Sequence, residues 1–171
     1  MIRVAAAADA GQVARVQQRA WLRAYADIVS TERVLGWDMD ERAERWRGRL
    51  EASPITSWVF DLQGRIVGFV SAGPAAAADD DAGAGGSSHG FLWALYVDPP
   101  AQGAGVGTLL LETAEAALAE RGFERAGLWI LAANEHGRRF YERAGWSLEE
   151  GSETEDPTWS VAAVRYAKAL R

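Results

Sequence analysis

The fold is decided by residues 95–108, which read LYVDPPAQGAGVGT. An apolar strand ends here at Asp98, the chain turns on three glycines, and a helical pattern begins. Such a turn directs consecutive backbone N–H groups to one point, and the helix N-terminus adds about half a positive charge. Glycines carry no Cβ, so a ligand can approach the backbone closely. The stretch therefore predicts an anion site suited to a pyrophosphate, although a plain turn also fits.

The stretch matches neither of two widespread phosphate-binding loops. A P-loop needs the pattern GxxxxGK followed by Ser or Thr, and the only lysine of the chain is Lys168. The dinucleotide fingerprint G-x-G-x-x-G also fails, because Gly103 and Gly105 put Thr108 where the third glycine belongs. Standard sites of both kinds are therefore excluded at this turn.

The residues upstream of the turn predict two helices and four strands. A short strand is expected at residues 2–4, and Asp9 with Gln12 three positions later is typical of a helix start. A second helix is predicted over about residues 40–51. The other three predicted strands are residues 58–60, 66–72 and 91–97, with a turn at Gln63-Gly64 between the first two.

Residues 73–90 read GPAAAADDDAGAGGSSHG and lack large apolar side chains, which predicts a flexible loop. The pattern GSSHG at 86–90 matches G-x-S-x-G, but a nucleophile elbow follows a strand and precedes a helix, unlike this segment. The three aspartates at 79–81 lack the spacing of an EF-hand. Both patterns are therefore interpreted as parts of a solvated loop.

Five further elements follow the glycine-rich turn: a helix ending near Arg121-Gly122, a strand at 126–131, a helix at 134–144 closed by Gly145, and strands at 146–149 and 161–169. An acidic loop at 150–158 joins the last two strands. The order β-α-α-β-β-β-α-β-α-β-β predicts an α/β fold with one mixed, twisted sheet and a parallel crossover after the turn. A single domain over residues 1–171 is expected.

Composition limits the chemistry. The 171 residues include no cysteine and two histidines, which excludes a thiol nucleophile or a Cys-ligated metal, and no metal site is expected. The formal net charge of −6 is +2 over residues 1–50 and −8 over residues 51–171, so nucleic acid is a poor partner. No apolar run approaches 18 residues and no signal peptide is recognisable, so a cytoplasmic protein that does not bind a membrane is expected.

Two segments resemble the GNAT superfamily of N-acetyltransferases. Gln102-x-x-Gly105-x-Gly107 after an apolar strand is similar to the family's acyl-CoA pyrophosphate signature, Gln/Arg-x-x-Gly-x-Gly/Ala. Residues 131–146, LAANEHGRRFYERAGW, resemble the family pattern L-x-x-N-x-x-A-x-x-F-Y-E-x-x-G-F. The order of elements matches the family's GNAT-like fold over nearly the whole chain. The resemblance implies an enzyme that transfers the acetyl group of acetyl-CoA to a primary amine.

The resemblance also implies how acetyl-CoA would be bound. The pantetheine arm would lie in a gap between splayed strands, against backbone groups of Leu95, Tyr96 and Val97. The pyrophosphate would be held by the turn and the first residues of its helix, namely Gln102, Gly103, Ala104, Gly105, Val106, Gly107 and Thr108. Asn134 would contact the cosubstrate, with Gly137 and Phe140 lining its arm; a plain helix cap is the other interpretation of Asn134.

Tyr141 is the residue that the resemblance identifies as the general acid for the departing thiolate. A phenol of pKa about 10 and a thiol of pKa about 8.5 are close enough for useful proton donation. The alternative interpretation of Tyr141 is an aromatic residue packed under the sheet, with a structural role only. Because the chain lacks cysteine, direct attack of the amine on the thioester is simpler than a covalent acyl-enzyme.

The general base is not identified by the sequence. Many relatives carry a glutamate early in the strand before the glycine-rich turn, and Phe91 stands at that position here. His89, Asp98 and a chain of water molecules are the candidates for deprotonating the amine. A small amine or a peptide N-terminus is the expected acceptor, and the oligomeric state is left open, a homodimer included.

Five acids at the last turn, Glu149, Glu150, Glu153, Glu155 and Asp156, favour a cationic acceptor if they lie near the acceptor entrance, as the resemblance implies; otherwise they only aid solubility. In the family the first two helices wall the acceptor site, so one or two of the aromatic residues Trp21, Tyr25, Trp37 and Trp46 are expected to line it. An acyl-CoA-binding sensor without turnover, and a transferase for another acyl-CoA, are the alternative functions.

Overall fold

The structure, a computed structural model, describes residues 1–76 and 89–170, which contain five helices and eight strands. In chain order these are β1 (Ile2–Val4), α1 (Ala10–Ala24), α2 (Thr31–Leu35), α3 (Met39–Ala52), β2 (Thr56–Leu62), β3 (Arg65–Pro74), β4 (His89–Val97), α4 (Val106–Glu120), β5 (Arg125–Leu131), α5 (Glu135–Arg143), β6 (Ser147–Leu148), β7 (Thr154–Asp156) and β8 (Val161–Ala169).

One mixed sheet contains all eight strands in the order β1-β2-β3-β4-β5-β8-β6, with β7 also paired to β8. β4 and β5 run parallel and are connected through α4, whereas the other strand pairs are antiparallel. The α/β fold with a mixed sheet and the parallel crossover are therefore confirmed. That the whole chain forms a single domain stays a prediction.

β4 and β5 are paired over three residues only. The register joins His89 to Arg125, Gly90 to Ala126 and Phe91 to Gly127, and the ladder between these two described strands ends there. Both strands continue, to Val97 and to Leu131. The register between β3 and β4 also shifts at Trp93, which forms a β-bulge that bends β4. A gap therefore opens in the middle of the sheet.

Helices cover both faces of the sheet up to the edge of this gap. α1 and α3 pack on one face, which includes Ala94 and Tyr96 of β4. α4 and α5 pack on the opposite face, which includes Leu92, Leu95 and Val97. Because side chains alternate along a strand, β4 contributes to both hydrophobic layers. The gap consequently lies between two packed cores.

Two elements were missed by the sequence pattern. α2 has five residues, too few for apolar periodicity, and its main local signal is the Ser30 hydroxyl, which accepts from the Arg33 N–H. β7 lies inside the expected acidic loop and is a strand because it pairs with β8. The helix start predicted at Asp9 is confirmed, since Asp9 is the N-cap of α1, but its carboxylate caps no N–H of that helix and instead accepts from the N–H of Ala6.

The expected loop at 73–90 is shorter than predicted, because β3 extends to Pro74 and β4 begins at His89. Its central part, residues 77–88, lies outside the described residues. The aspartates at 79–81 and the first three residues of the GSSHG pattern fall there. The last two residues of that pattern, His89 and Gly90, belong to β4.

Arg3 ties the N-terminal strand to the rest of the sheet. Its Nη1 and Nη2 donate to the two carboxylate oxygens of Asp9 at 2.7 and 2.9 Å, and its Nε donates to Asp61 at 3.1 Å. The hydrogen bonds from Arg3 are the main reason that the pKa of Asp9 is lowered. Since Asp9 is buried, this pair links β1, α1 and β2.

We expect Asp9→Asn to lower the free energy of unfolding at pH 7 by about 1–3 kcal/mol, the usual cost of disturbing a buried charged hydrogen bond. A lowered folded-state pKa stabilises the protein above the unfolded pKa of about 3.9 and loses that effect as pH falls through the folded value. The difference between variant and wild type should therefore shrink toward pH 3 in urea unfolding. Asp27→Asn, at an exposed position, is the control, and a pH-independent difference would contradict the assignment.

Candidate active site

The gap between β4 and β5 opens into a cavity of about 470 Å³. Its walls come from both sides of the sheet. Leu95 and Ile130 belong to the layer packed on α4, whereas Tyr96 and Tyr25 belong to layers on the α1 side. One cavity is therefore lined by side chains from both faces of the sheet.

The glycine-rich turn forms the end of the cavity on the α4 face. Gly103 and Gly105 have φ angles of +79° and +81°, which other residues adopt only with strain, and no atom lies within 4 Å of a Cβ built on either. Within the described chain, the N–H groups of residues 103–108 donate to no other residue. These groups and the start of α4 present an open, positively polarised surface.

Gln102 fixes this turn to the strand before it. Its Nε2 donates to the carbonyl oxygen of Val97 at 3.0 Å, across the turn. The exposed amide side chain thus ties the loop to the end of β4. Residue 102 therefore positions the N–H groups that follow it.

Asn134 begins α5 as its N-cap. Its Oδ1 accepts from the N–H of Gly137 at 3.0 Å, and its Nδ2 donates to the hydroxyl of Tyr25 in the segment following α1 at 3.2 Å. A Cβ on Gly137 would lie 2.7 Å from the Asn134 Nδ2 and 2.8 Å from the Ile130 Cδ1. Glycine at 137, where the family pattern has alanine, therefore lets the cap and β5 pack closely.

Tyr141 lies on α5, and its ring packs in the core and also lines the cavity. It packs against Phe140 and Trp146 with ring centroids 5.1 and 5.9 Å away, and it is buried. Burial raises the pKa of its phenol, so the hydroxyl stays protonated in the physiological range. Within the described residues, the hydroxyl forms no hydrogen bond. Packing and a proton-donating role are compatible here.

Two more phenols lie on the α1 side of the cavity. Burial raises the pKa of both Tyr25 and Tyr96, and the phenols of Tyr25, Tyr96 and Tyr141 are close enough to influence one another. Tyr25 therefore fulfils the expectation that an aromatic residue near the first helix lines the site. Trp21 packs behind it, with ring centroids 4.4 Å apart, and Trp46 packs on Phe69 in the core.

The cavity collects nearly all the residues that the sequence singled out. The expected cosubstrate-binding residues line it, together with Tyr141, except Ala104 and Val106. Val106 is buried in the core, and its backbone and that of Ala104 still belong to the turn. Cavity residues that the sequence analysis missed include Trp93, Trp129, His136 and Arg143. Only the parallel pairing of distant segments brings them together, so no local pattern could have found them.

The two side-chain candidates for the general base do not line the cavity as described. Asp98 is buried, and both its oxygens accept from Arg19, at 2.7 and 2.9 Å. His89 lies at the start of β4, at the opposite end of that strand from the turn. The structure therefore commits the Asp98 carboxylate to a bidentate ion pair and places His89 at the far end of β4 from the turn, so neither candidate is brought to the cavity lining.

The acidic turn is partly neutralised. Glu149 forms ion pairs with Arg125 and Arg165, at 3.4 and 3.2 Å. Asp156 uses Oδ1 to accept from the N–H groups of Thr158 and Trp159, which shapes the turn between β7 and β8. The remaining three acids, Glu150, Glu153 and Glu155, are exposed, and none of them lines the described cavity.

The described residues were found to contain neither a metal-binding group nor a membrane-spanning helix. Among residues 1–76 and 89–170, no group of three or more histidine or acidic side chains is arranged to hold a metal ion. Within the same residues, every helix is too short or too polar to cross a membrane.

Fold and cavity together define an α/β protein whose divided sheet borders a cavity that ends at a glycine-rich helix N-terminus. The family model described as Acetyltransferase (GNAT) family matches residues 20–146. The chain belongs to the GNAT family and is an acyltransferase enzyme.

Relatives agree with this assignment. The chain is 38% identical over 88 residues to mycothiol acetyltransferase of Propionibacterium freudenreichii; the match covers 52% of this chain and 26%, about a quarter, of that relative. PaiA N-acetyltransferase from Thermoplasma acidophilum, solved in complex with coenzyme A, has a TM-score of 0.77 at 20% identity, over 99% of this chain and 98% of its own. Ribosomal-protein-alanine N-acetyltransferase from Brucella melitensis has a TM-score of 0.74 at 21% identity, over 99% of both chains.

Gly105→Asp tests the anion site. The variant puts a carboxylate where a phosphate would meet the free N–H groups, so we expect coenzyme A to bind at least tenfold more weakly by calorimetry, about 1.4 kcal/mol. Gly64→Asp is the matched control, because Gly64 has a φ of +86° and equally open surroundings in the β2–β3 turn. Equal affinity of both variants for coenzyme A would show that the turn is not the site.

Proposed function

We propose that this enzyme transfers the acetyl group of acetyl-CoA to a primary amine by direct attack within a ternary complex. The observation that carries the proposal is that one cavity, at the place where β4 and β5 separate, is lined by side chains from both faces of the sheet. The glycine-rich turn and the aromatic residues on the α1 side border the same gap from opposite faces of the sheet. Two substrates can then be held together, which removes most of the entropic cost of their encounter.

The residues around the turn fit acetyl-CoA. Uncommitted N–H groups at residues 103–108 and the open space above Gly103 and Gly105 suit a pyrophosphate. Beyond Phe91, the edge of β4 that faces β5 pairs with no other described strand. The backbone groups of residues 95–97 that are not used by β3 or by Gln102 would bind the amides of the pantetheine arm. Gly137 and Phe140 would line that arm on the α5 side.

Acetyl-CoA supplies a thioester whose acyl carbon accepts the amine and whose sulfur leaves as a thiolate. The chain has no cysteine, which supports attack without a covalent acyl-enzyme. In this proposal Tyr141 gives its phenol proton to the leaving sulfur. The low dielectric that raises the phenol pKa disfavours a thiolate there as well, so the two proton affinities rise together.

A proton must also leave the attacking amine. With Asp98 and His89 outside the cavity lining, the proposal assigns this step to water in the cavity. An α-amine, with a pKa near 8, provides far more of its neutral form at pH 7 than an alkylamine near 10.4. Small amines and peptide N-termini both remain in the proposal, and the ribosomal-protein-alanine enzyme with the same fold illustrates the second class.

The family assignment makes the chain an enzyme, so a sensor without turnover is no longer favoured. Transfer from another acyl-CoA is tested by offering propionyl-CoA and succinyl-CoA beside acetyl-CoA and following thiol release with an amine panel. A cytoplasmic location stays a prediction from the sequence.

Tyr141→Phe tests the general acid. The change keeps the ring and removes the proton, so kcat should fall by about 10²–10⁴-fold, with little change in affinity for coenzyme A. Because the buried phenol stays neutral, the ratio of wild-type to variant kcat should be constant between pH 6 and pH 9. The control is Tyr166→Phe, a fully buried phenol that bonds to Arg138 and Glu142 away from the cavity. A Tyr141→Phe kcat within threefold of wild type would leave this residue a packing role.

A further inference from the structure

Two tryptophans stand at the mouth of the cavity on the face opposite the glycine-rich turn. Leu128 and Ile130 pack toward α4, so Trp129 between them points to the α1 face. The Trp93 ring packs at a tilt against Phe91, with ring centroids 4.8 Å apart, and Phe91 lies against Gly127 on that same face. Both indoles line the cavity and are 39% exposed.

These side chains flank the place where the sheet divides. The last pair of the β4–β5 ladder is Phe91 with Gly127, and each tryptophan follows two residues later on its own strand. Trp93 is the bulged residue of β4, and its indole N–H donates to the carbonyl of Pro74 at 3.2 Å. A bulge commonly re-aims a side chain, and this hydrogen bond holds the new direction.

The charged groups beside the tryptophans do not favour a cationic group on the acceptor. Arg165 is the register partner of Trp129, and its guanidinium lies 3.1 Å from the position of a Cβ on Gly127. Glu149 is shared between Arg165 and Arg125, so this patch holds two positive groups and one carboxylate. Two guanidinium groups on this side of β5 make the place less favourable for a cationic group of an acceptor than the acidic turn alone would predict.

We infer that Trp93 and Trp129 select the acceptor, by binding an uncharged aromatic or branched aliphatic group that carries the amine. The inference rests on the proposed function and names the class of acceptor for the same site. Covering a half-exposed indole with an apolar group lowers the free energy, and an aromatic group is stabilised further by offset or edge-to-face packing. The expectation of a cationic acceptor, drawn from the acidic turn, is opposed by the arginine pair beside the tryptophans.

The test compares three amines, ethylamine, 2-phenylethylamine and putrescine, with kcat/KM expressed per concentration of the unprotonated amine, because the three differ in basicity. We expect kcat/KM for 2-phenylethylamine to exceed those for the other two by at least tenfold. Trp93→Ala and Trp129→Leu should each lower kcat/KM for 2-phenylethylamine at least tenfold more than kcat/KM for ethylamine, through a rise in the KM of the aromatic amine. Leu62→Ala, at an exposed apolar position on β2, is the control and should change nothing.

The outcomes separate the inference from the proposed function. Preference for putrescine or no preference among the amines overturns the inference, as does an equal loss for all amines in the tryptophan variants, which indicates a structural role. Calorimetry of 2-phenylethylamine with the enzyme saturated in coenzyme A gives a readout without turnover. Binding that needs both tryptophans, without thiol release from any amine, would support the inference and contradict the proposed function.

Discussion

The early end of the ladder between β4 and β5 is the constraint on which the site depends. Three parallel pairs hold the strands together at Phe91 and Gly127, and the bulge at Trp93 turns β4 away beyond them. A sheet normally closes every such gap with hydrogen bonds, because unpaired backbone groups are costly to bury. Here these bonds are missing between β4 and β5 beyond Phe91 and Gly127, and helices pack on both faces of the sheet beside the gap.

The sequence predicted those parts of the site whose conformation is encoded locally. Gly103 and Gly105 signal positive φ angles by their chemistry alone, and Asn134 is a strong cap wherever it precedes a helix. The tryptophans could not be found this way. Trp93 owes its direction to a register shift against β3, and Trp129 reaches the cavity only through pairing between distant segments. Such relations are tertiary and leave no pattern of spacing.

The acidic turn shows the same limit for electrostatics. Composition adds five negative charges near residues 149–156, whereas the fold gives each a different environment. Glu149 meets two guanidinium groups, and Asp156 spends its carboxylate on backbone N–H groups. The electrostatic effect of a run of acidic residues can therefore be judged only after the partners of each carboxylate are known. The two guanidinium partners of Glu149 lie far away in the chain.

Asn134 fixes the direction of the hydrogen bond between its side chain and the Tyr25 hydroxyl. The N–H of Gly137 requires an oxygen at the cap, so the amide nitrogen is the atom that meets Tyr25, and the phenol oxygen must accept. The phenol's own hydrogen is then not taken by the cap and is left to the cavity that Tyr25 lines. Aspartate would cap the helix equally well, but as a pure acceptor it would draw that hydrogen to itself. The choice between two nearly isosteric residues at a helix start thus sets whether this wall of the cavity offers a donor.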